Sequence, residues 1–199
     1  MTLPILNHLR HDHDGVTTVE FALVMPVLLM MILGLFDLGH NMYTSTMLQG
    51  AVQQSARNST IEGAASNAVA LDGNVTRAVR AISPNSTLQF SRMAYASFSG
   101  VNTAEDFSDL NGNGVCDSNE PFEDANNNSN WDSDRGMAGM GGARDAVLYK
   151  VTVTYPRLLP IARFIPGQTD NFTMESNTVL RNQPYGMQGE LATTTSNCI

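Results

Sequence analysis

The sequence predicts an α+β protein. It has a long N-terminal helix, apolar on all sides at first and amphipathic later, then a second helix. A small antiparallel sheet of about three strands follows, interrupted by an acidic insertion. Three observations carry this reading. Residues 21–36 are sixteen consecutive uncharged, mostly large apolar residues. Residues 146–155 alternate, with Val147, Tyr149, Val151, Val153 and Tyr155 on one side, the period of a half-buried strand. Nine of the 19 acidic residues lie in 105–134, a stretch with no Lys or Arg. The formal net charge of −8 therefore belongs to that segment, because the remainder carries ten acids and eleven bases. Lacking a basic footprint, the chain is not expected to bind nucleic acid. Its 42% apolar content argues against a wholly disordered chain.

At a rise of about 1.5 Å per residue, 21–36 covers about 24 Å, and adding 16–19 and Leu38 brings it to bilayer length. Glu20 and Asp37 then stand near its two ends. A soluble helix is rarely apolar on all faces for this length. Residues 37–41 offer no small-residue cleavage site of the secretory kind. With Arg10 as the firm cation of the leader, aided by His8, His11 and His13, the N-terminus is expected in the cytoplasm and the long polar remainder outside it.

After Asp37 the pattern becomes amphipathic. Tyr43, Met47, Leu48, Ala51, Val52 and Ala56 recur at helical steps, so the helix is expected to run through Gly50 to about Arg57 and to break at Asn58-Ser59-Thr60. A second helix is expected over 65–82, with Leu71, Val75, Val79 and Ile82 on one face and Ser83-Pro84-Asn85 as its stop. Glu62 and Asp72 read as solvated helix charges. Strands are expected over 88–99 (Phe90, Tyr95, Phe98), 146–155 and 172–181, with the amphipathic part of the first helix covering the sheet. The Gly/Met-rich stretch 135–142 reads as mobile.

Inside the acidic segment, Asp109-Leu110-Asn111-Gly112-Asn113-Gly114-Val115-Cys116-Asp117-Ser118-Asn119-Glu120 fits the pattern D-x-[DN]-x-[DN]-G-x5-E at every specified position. Calcium chemistry demands that spacing. Oxygens at positions 1, 3 and 5 (Asp109, Asn111, Asn113) converge on a hard cation, and glycine at position 6 permits a sharp turn. Position 7 lends the Val115 carbonyl, Asp117 acts at position 9, and Glu120 closes the set at position 12. Fifteen residues on, Asp124, Asn126, Asn128, Asn130 and Asp132 repeat positions 1, 3, 5, 7 and 9. Ser129 replaces the glycine and Arg135 stands at position 12, so Asp134 or a glutamate borrowed from the first loop would have to complete a second Ca²⁺ site. Pro121 directly after Glu120 disfavours an exiting helix, which predicts a free-standing loop. The bland alternative is an Asn/Asp-rich surface turn.

The two cysteines, Cys116 in the loop and Cys198 next to the C-terminal residue, permit a disulfide in an oxidising compartment, though their spacing does not show that they meet. Three of the four histidines lie in the leader, so after cleavage only His40 would remain; no Ser/His/Asp or Cys/His set can then be assembled, and no enzyme is expected.

The residues before the apolar run are specific. Gly15-Val16-Thr17-Thr18-Val19-Glu20-Phe21 resembles the cleavage site of type IV prepilins of the tight-adherence kind, cut after the glycine. Glu20-Phe21-Ala22-Leu23-Val24 with Pro26, and then Gly34-Leu35-Phe36-Asp37-Leu38-Gly39, resemble the TadE-like minor pseudopilins. Val179-Leu180-Arg181-Asn182-Gln183-Pro184-Tyr185 is similar to that family's ending, with Gln183 in place of an acid. The resemblance implies a prepilin peptidase acting after Gly15, and Glu20 pairing with the freed amino group of Val16 in a neighbouring subunit. Other pilins, pseudopilins and pilus assembly proteins are implied as partners beside membrane lipid. The implied location is a single-pass protein of the bacterial cytoplasmic membrane with a periplasmic head.

The chain then divides into a leader (1–15), a transmembrane helix (16–40), helices and first strand of the head (41–104), the calcium insertion (105–142), remaining strands (143–185) and a polar tail (186–199). Two other readings remain: a membrane-anchored calcium-dependent adhesin or ligand-binding module, and a secreted protein cleaved after residue 40.

Overall fold

The computed structural model describes residues 15–60, 67–160, 162, 167–183 and 193–199. It is an α+β architecture. Helix α1 is Gly15–Ser59 and α2 is Ala68–Arg80. The strands are β1 (Thr87–Tyr95), β2 (Pro121–Asp124), β3 (Met137–Ala138), β4 (Ala146–Pro156), β5 (Asn171–Arg181) and β6 (Thr194–Asn197). The main sheet is antiparallel in the order β3-β1-β4-β5, and β2 and β6 form a separate two-stranded ribbon. The chain has two compact units: one joins the residues up to Met42 with Arg157–Asp170, the other joins Tyr43–Pro156 with Asn171–Ile199.

In the first unit, α1 is apolar and exposed. Leu23, Val27, Met31 and Leu35 are each more than 60% exposed, and the helix is long and apolar enough to cross a membrane. Pro26 sits inside it without ending it. The charge at the end of the apolar run is neutralised within the unit. Asp37 is buried and pairs with Arg157, and Asn41 Nδ2 donates to Asp37 Oδ2 at 3.0 Å.

In the second unit, Leu48, Val52 and Ala56 of α1 recur every four residues and are fully buried. They form one core with Val75 and Val79 of α2 and with Tyr149, Val151, Val153 and Tyr155 of β4. The helix ends where its hydroxyls turn back on their own carbonyls: Ser59 Oγ donates to Ala56 O at 2.6 Å and Thr60 Oγ1 to Arg57 O at 2.8 Å. Ser55 Oγ donates to the Leu71 carbonyl at 3.3 Å, tying α1 to α2. The opposite face of the sheet is polar around Lys150, Thr152 and Thr154. Towards β3 it turns apolar, where Tyr95, Ala146 and Leu148 form a second cluster.

Several elements differ from expectation. The first strand stops at Tyr95 rather than residue 99, because Tyr95 pairs with Ala146, the first residue of β4, and nothing remains beyond it to pair with. The second helix spans Ala68–Arg80, and its expected start at Ala65 lies outside the described residues, as does Glu62. The stretch 135–142, expected to be mobile, contributes β3. Ala94 pairs with Met137, and Gly139 N–H donates to Arg92 O at 2.9 Å. Glycine is required there, since a Cβ on Gly136 would lie 2.8 Å from the Tyr95 ring. The tail is not simply polar chain: 194–197 is β6.

Asp72 is not a solvated charge. It takes both terminal nitrogens of Arg92 and accepts the Tyr149 hydroxyl at 2.8 Å, while the Arg92 guanidinium stacks 4.3 Å from the Tyr149 ring centroid. Helical periodicity places Asp72 next to the buried Leu71, and only the sheet register sets Arg92 opposite Tyr149. Burial raises the Tyr149 phenol above its ordinary pKa, reinforced by the hydrogen bond to Asp72 and its charge.

Two outcomes follow for the head. Leu48→Ala should cost about 2–5 kcal/mol in denaturant unfolding of the full chain. Since the fold favours the neutral Tyr149 phenol, that contribution is fully present below the ordinary phenol pKa of about 10. It is lost as pH rises through the higher folded value, so ultraviolet titration should show Tyr149 ionising late and together with loss of the fold.

Candidate metal centre

The acidic insertion folds with little apolar surface of its own, and its carboxylates are held by main-chain N–H groups. In the first loop, Asp109 Oδ1 accepts from Gly112 N (2.6 Å) and Asn113 N (3.2 Å), and Oδ2 accepts from Gly114 N (2.8 Å). Asn111 Oδ1 accepts from Asn113 N and Asn113 Oδ1 from Val115 N, so each polar side chain turns the backbone towards the next. Asn111 Nδ2 and Asn113 Nδ2 both donate to Asp117 Oδ2. Glu120 spans the mouth: Oε1 accepts from Leu110 N at 2.8 Å and Oε2 from Asp117 N at 3.0 Å.

The second loop reproduces this arrangement. Asp124 accepts from Asn128 N (3.1 Å) and Ser129 N (2.8 Å), and Asn126 Oδ1 and Asn128 Oδ1 accept from Asn128 N and Asn130 N. Asn126 Nδ2 and Asn128 Nδ2 converge on Asp132 Oδ2 at 2.8 and 2.6 Å. Positive φ recurs at the same places, Gly112 and Gly114 in one loop and Asn127 and Ser129 in the other.

The carboxylate closing the second loop is neither Asp134 nor a glutamate from within the first loop. Asp134 accepts the Tyr95 hydroxyl at 3.0 Å instead. The closing residue is Glu105, upstream of both loops. Its Oε1 accepts from Ala125 N at 2.8 Å and its Oε2 from Asp132 N at 3.0 Å, as Glu120 does in the first loop. The main chains correspond too, since Glu120 N donates to Asp117 O and Glu105 N to Asp132 O, both at 3.0 Å. Between the glutamates and the first aspartates, 105–109 and 120–124 lie antiparallel. Phe107 bridges Phe122, Ser108 N donates to Pro121 O, and Glu123 N donates to Asp106 O, the last two at 2.8 Å. The insertion is thus an internal pair in which each repeat supplies the glutamate that closes the other.

The sequence carried a signal for this: a shift of fifteen residues superposes Glu105 on Glu120 and Phe107 on Phe122 as well as the loop positions. A forward search for position 12 cannot find it, because the closing residue precedes its loop.

β6 straps the pair. Cys116 and Cys198 form a disulfide with Cα atoms 5.7 Å apart, and Cys198 N donates to Glu120 O at 2.9 Å. In the second loop Trp131 occupies the place of Cys116. Its indole N–H donates to Glu105 O at 2.9 Å, and its ring meets Phe107 edge-on at 5.7 Å. Thr194 Oγ1 reaches Asn127 Oδ1 at 2.9 Å, so one short strand touches both loops.

Electrostatically the pair is one-sided. Glu105, Glu120 and Asp124 are at most 3% exposed, and the ion pairs found among the described residues include none of these three nor Asp109, Asp117 or Asp132. Among the described residues no three Asp, Glu, His or Cys side chains converge closely enough to hold an ion by themselves. Asp109, which is exposed, is held below the ordinary carboxylate pKa, chiefly by the Gly114 N–H and further by those of Gly112, Asn113 and Asn111. The Tyr95 phenol is pushed up to about 12 by burial, with the hydrogen bond to Asp134 and its charge adding to this.

Gly15, Val16, Glu20 and Phe21 lie in the first turns of α1, all exposed, in the other compact unit; residues before Gly15 lie outside the described residues. From the family-like ending, Asn182 is buried and its Nδ2 donates to the Met140 and Gly142 carbonyls at 2.7 and 2.8 Å. Pro184 and Tyr185 lie outside the described residues.

Removing the disulfide by Cys116→Ser with Cys198→Ser should cost about 2–5 kcal/mol, because the bridge spans 82 residues of the unfolded chain; denaturant unfolding with and without reductant measures it. The lowered Asp109 pKa predicts a first loop that is intact above the ordinary carboxylate range. It should open as pH falls through the lower folded value, visible as loss of Gly114 amide protection in hydrogen exchange.

Residues 15–57 match the family model described as TadE-like protein. No curated protein and no solved structure matches the chain.

Proposed function

With residues 15–57 TadE-like, we propose that the chain is a minor pseudopilin supporting assembly or anchoring of a tight-adherence pilus, its head stabilised by two calcium ions. The role is structural. The exposed apolar helix from Gly15 onwards supports insertion by a single span, with the leader on the cytoplasmic side and the head beyond the membrane. Processing after Gly15 would free the Val16 amine for Glu20 of a neighbouring subunit, and Glu20, ionisable and within an apolar helix, is costly unless so paired.

The reciprocal closure of the two loops is the observation that carries the calcium reading. The donors are all oxygens, as a hard cation prefers. Asp109, Asn111, Asn113, Asp117 and Glu120 with the Val115 carbonyl would hold one ion. Asp124, Asn126, Asn128, Asp132 and Glu105 with the Asn130 carbonyl would hold the other. Bound Ca²⁺ would supply the positive charge that the buried carboxylates lack and would order an insertion too polar to fold by burial alone. Outside the cytoplasm an affinity on the order of 10⁻⁴–10⁻³ M suffices.

Calorimetric titration of the full chain with calcium should give a stoichiometry of two, falling to one in both Glu120→Gln and Glu105→Gln. A stoichiometry that survives Glu105→Gln removes the second site, and absence of any calcium-dependent heat removes both. Replacement of Gly15 by a bulky residue should abolish the mature-size product in cells that carry the pilus system. Deleting 105–142 should chiefly lower head stability. A loss of ligand binding with intact pili would favour the adhesin reading instead.

A further inference from the structure

The two loops are tethered differently at the same place. Cys116 and Trp131 occupy equivalent positions, fifteen residues apart. Trp131 fastens the second loop without a covalent bond, through its indole N–H on Glu105 O and its ring against Phe107. The segment it grips is itself pinned by Arg135. The guanidinium donates to Ala104 O at 2.7 and 3.1 Å, and the main-chain N–H donates to Thr103 O at 2.9 Å.

The first loop lacks this kind of anchor. Among the described residues, the side chains of Asp109, Asn111, Asn113 and Asp117 bond only within the loop, and residues 111–115 are all exposed. Away from its two ends, the loop is joined to another element by the Cys116–Cys198 bridge. β6 brings little else to that junction. Its four residues pair with β2, none of their side chains is buried, and Cys198 at 6% exposure is the one buried side chain of 193–199. A two-stranded ribbon this short is marginal in water by itself. The bridge therefore holds the first loop and β6 to each other. Cys116 is half-buried and more accessible than Cys198, which makes its sulfur the one an external thiolate reaches.

We propose that the Cys116–Cys198 bridge is a redox switch for the first loop alone. The thiolate of a dithiol reductant attacks Cys116 Sγ; the S–S bond breaks, a mixed disulfide forms, and Cys198 leaves as a thiolate that takes up a proton. The second thiol of the reductant then displaces Cys116 as a thiol. In sum two electrons and two protons pass to the cysteines, and the reductant closes to its own disulfide. β6 parts from β2, and residues 110–118 open. The second loop stays closed. Trp131 and Arg135 hold it, and 105–109 stays paired with 120–124 through Ser108, Glu123 and the Phe107–Phe122 bridge, which use neither cysteine. The first loop is thus ordered only where disulfides persist, in an oxidising compartment. This goes beyond the calcium reading and does not rest on it.

Hydrogen exchange of the native full chain in detergent micelles and millimolar calcium, with and without dithiothreitol, tests it, while thiol alkylation counts the free cysteines. Neither cysteine should be alkylated before reduction, and both should be after it. Exchange at the Gly112, Gly114 and Cys198 amides should then rise about tenfold or more, with Ala125, Ser129 and Asp132 unchanged. Cys198→Ser without reductant should exchange like the reduced chain and respond no further to dithiothreitol. Alkylation of both cysteines before reduction overturns the proposal, as do a bridge that resists dithiothreitol and first-loop amides unmoved by its loss. A matching rise in both loops also overturns it, since the bridge would then support the insertion as a whole. The readout is amide exchange and not ion uptake, so a failure of the calcium reading leaves the test intact.

Discussion

The head depends on one contact: Leu48, Val52 and Ala56 of α1 lying against Tyr149, Val151, Val153 and Tyr155 of β4. The apolar sheet face presented by these β4 side chains has to be covered for the sheet to fold, and α1 provides the cover, with α2 completing it. The same helix is apolar on all sides before Asp37 and striped after it, so one continuous element serves two environments. Nothing in the backbone marks the change. It is set by side chains alone, with Asp37 and its partner Arg157 at the transition.

The insertion solves the opposite problem. It has few apolar residues to bury, and Phe122 is among the few that are fully enclosed. Its order comes from main-chain N–H groups aimed at carboxylate and amide oxygens, bonds strengthened by the ionised acceptor. Such a scaffold satisfies hydrogen bonds without supplying positive charge: among the described residues, the almost fully buried Glu105, Glu120 and Asp124 take part in no ion pair. The exchange of Glu105 and Glu120 between repeats makes each loop's closure conditional on the other. The Phe107–Phe122 bridge and the β6 strap hold the two repeats in the register that this exchange needs.

The legible parts of the fold were those with local causes. The extent of α1, its stop at Asn58-Ser59-Thr60, the buried face of α2 and the alternation of β4 all follow from side-chain period and local hydroxyl chemistry. The first loop was legible for the same reason, since its closing residue Glu120 lies at fixed spacing from Asp109. The end of β1, the pairing of β3, the incorporation of 194–197 as β6 and the role of Asp72 were not, because each depends on which strand lies alongside.

By itself, the sequence determined an apolar helix long enough to cross a membrane, an α+β head behind it and a doubled acidic motif, since helical period, strand alternation and loop spacing act over a few residues. The tertiary structure alone decided that Glu105 closes the loop of Asp124, that Arg157 meets Asp37 and that Cys198 reaches Cys116. These partners stand 19, 120 and 82 residues apart along the chain. At such separations no periodicity reports a contact, and only the antiparallel register of the strands between them fixes it.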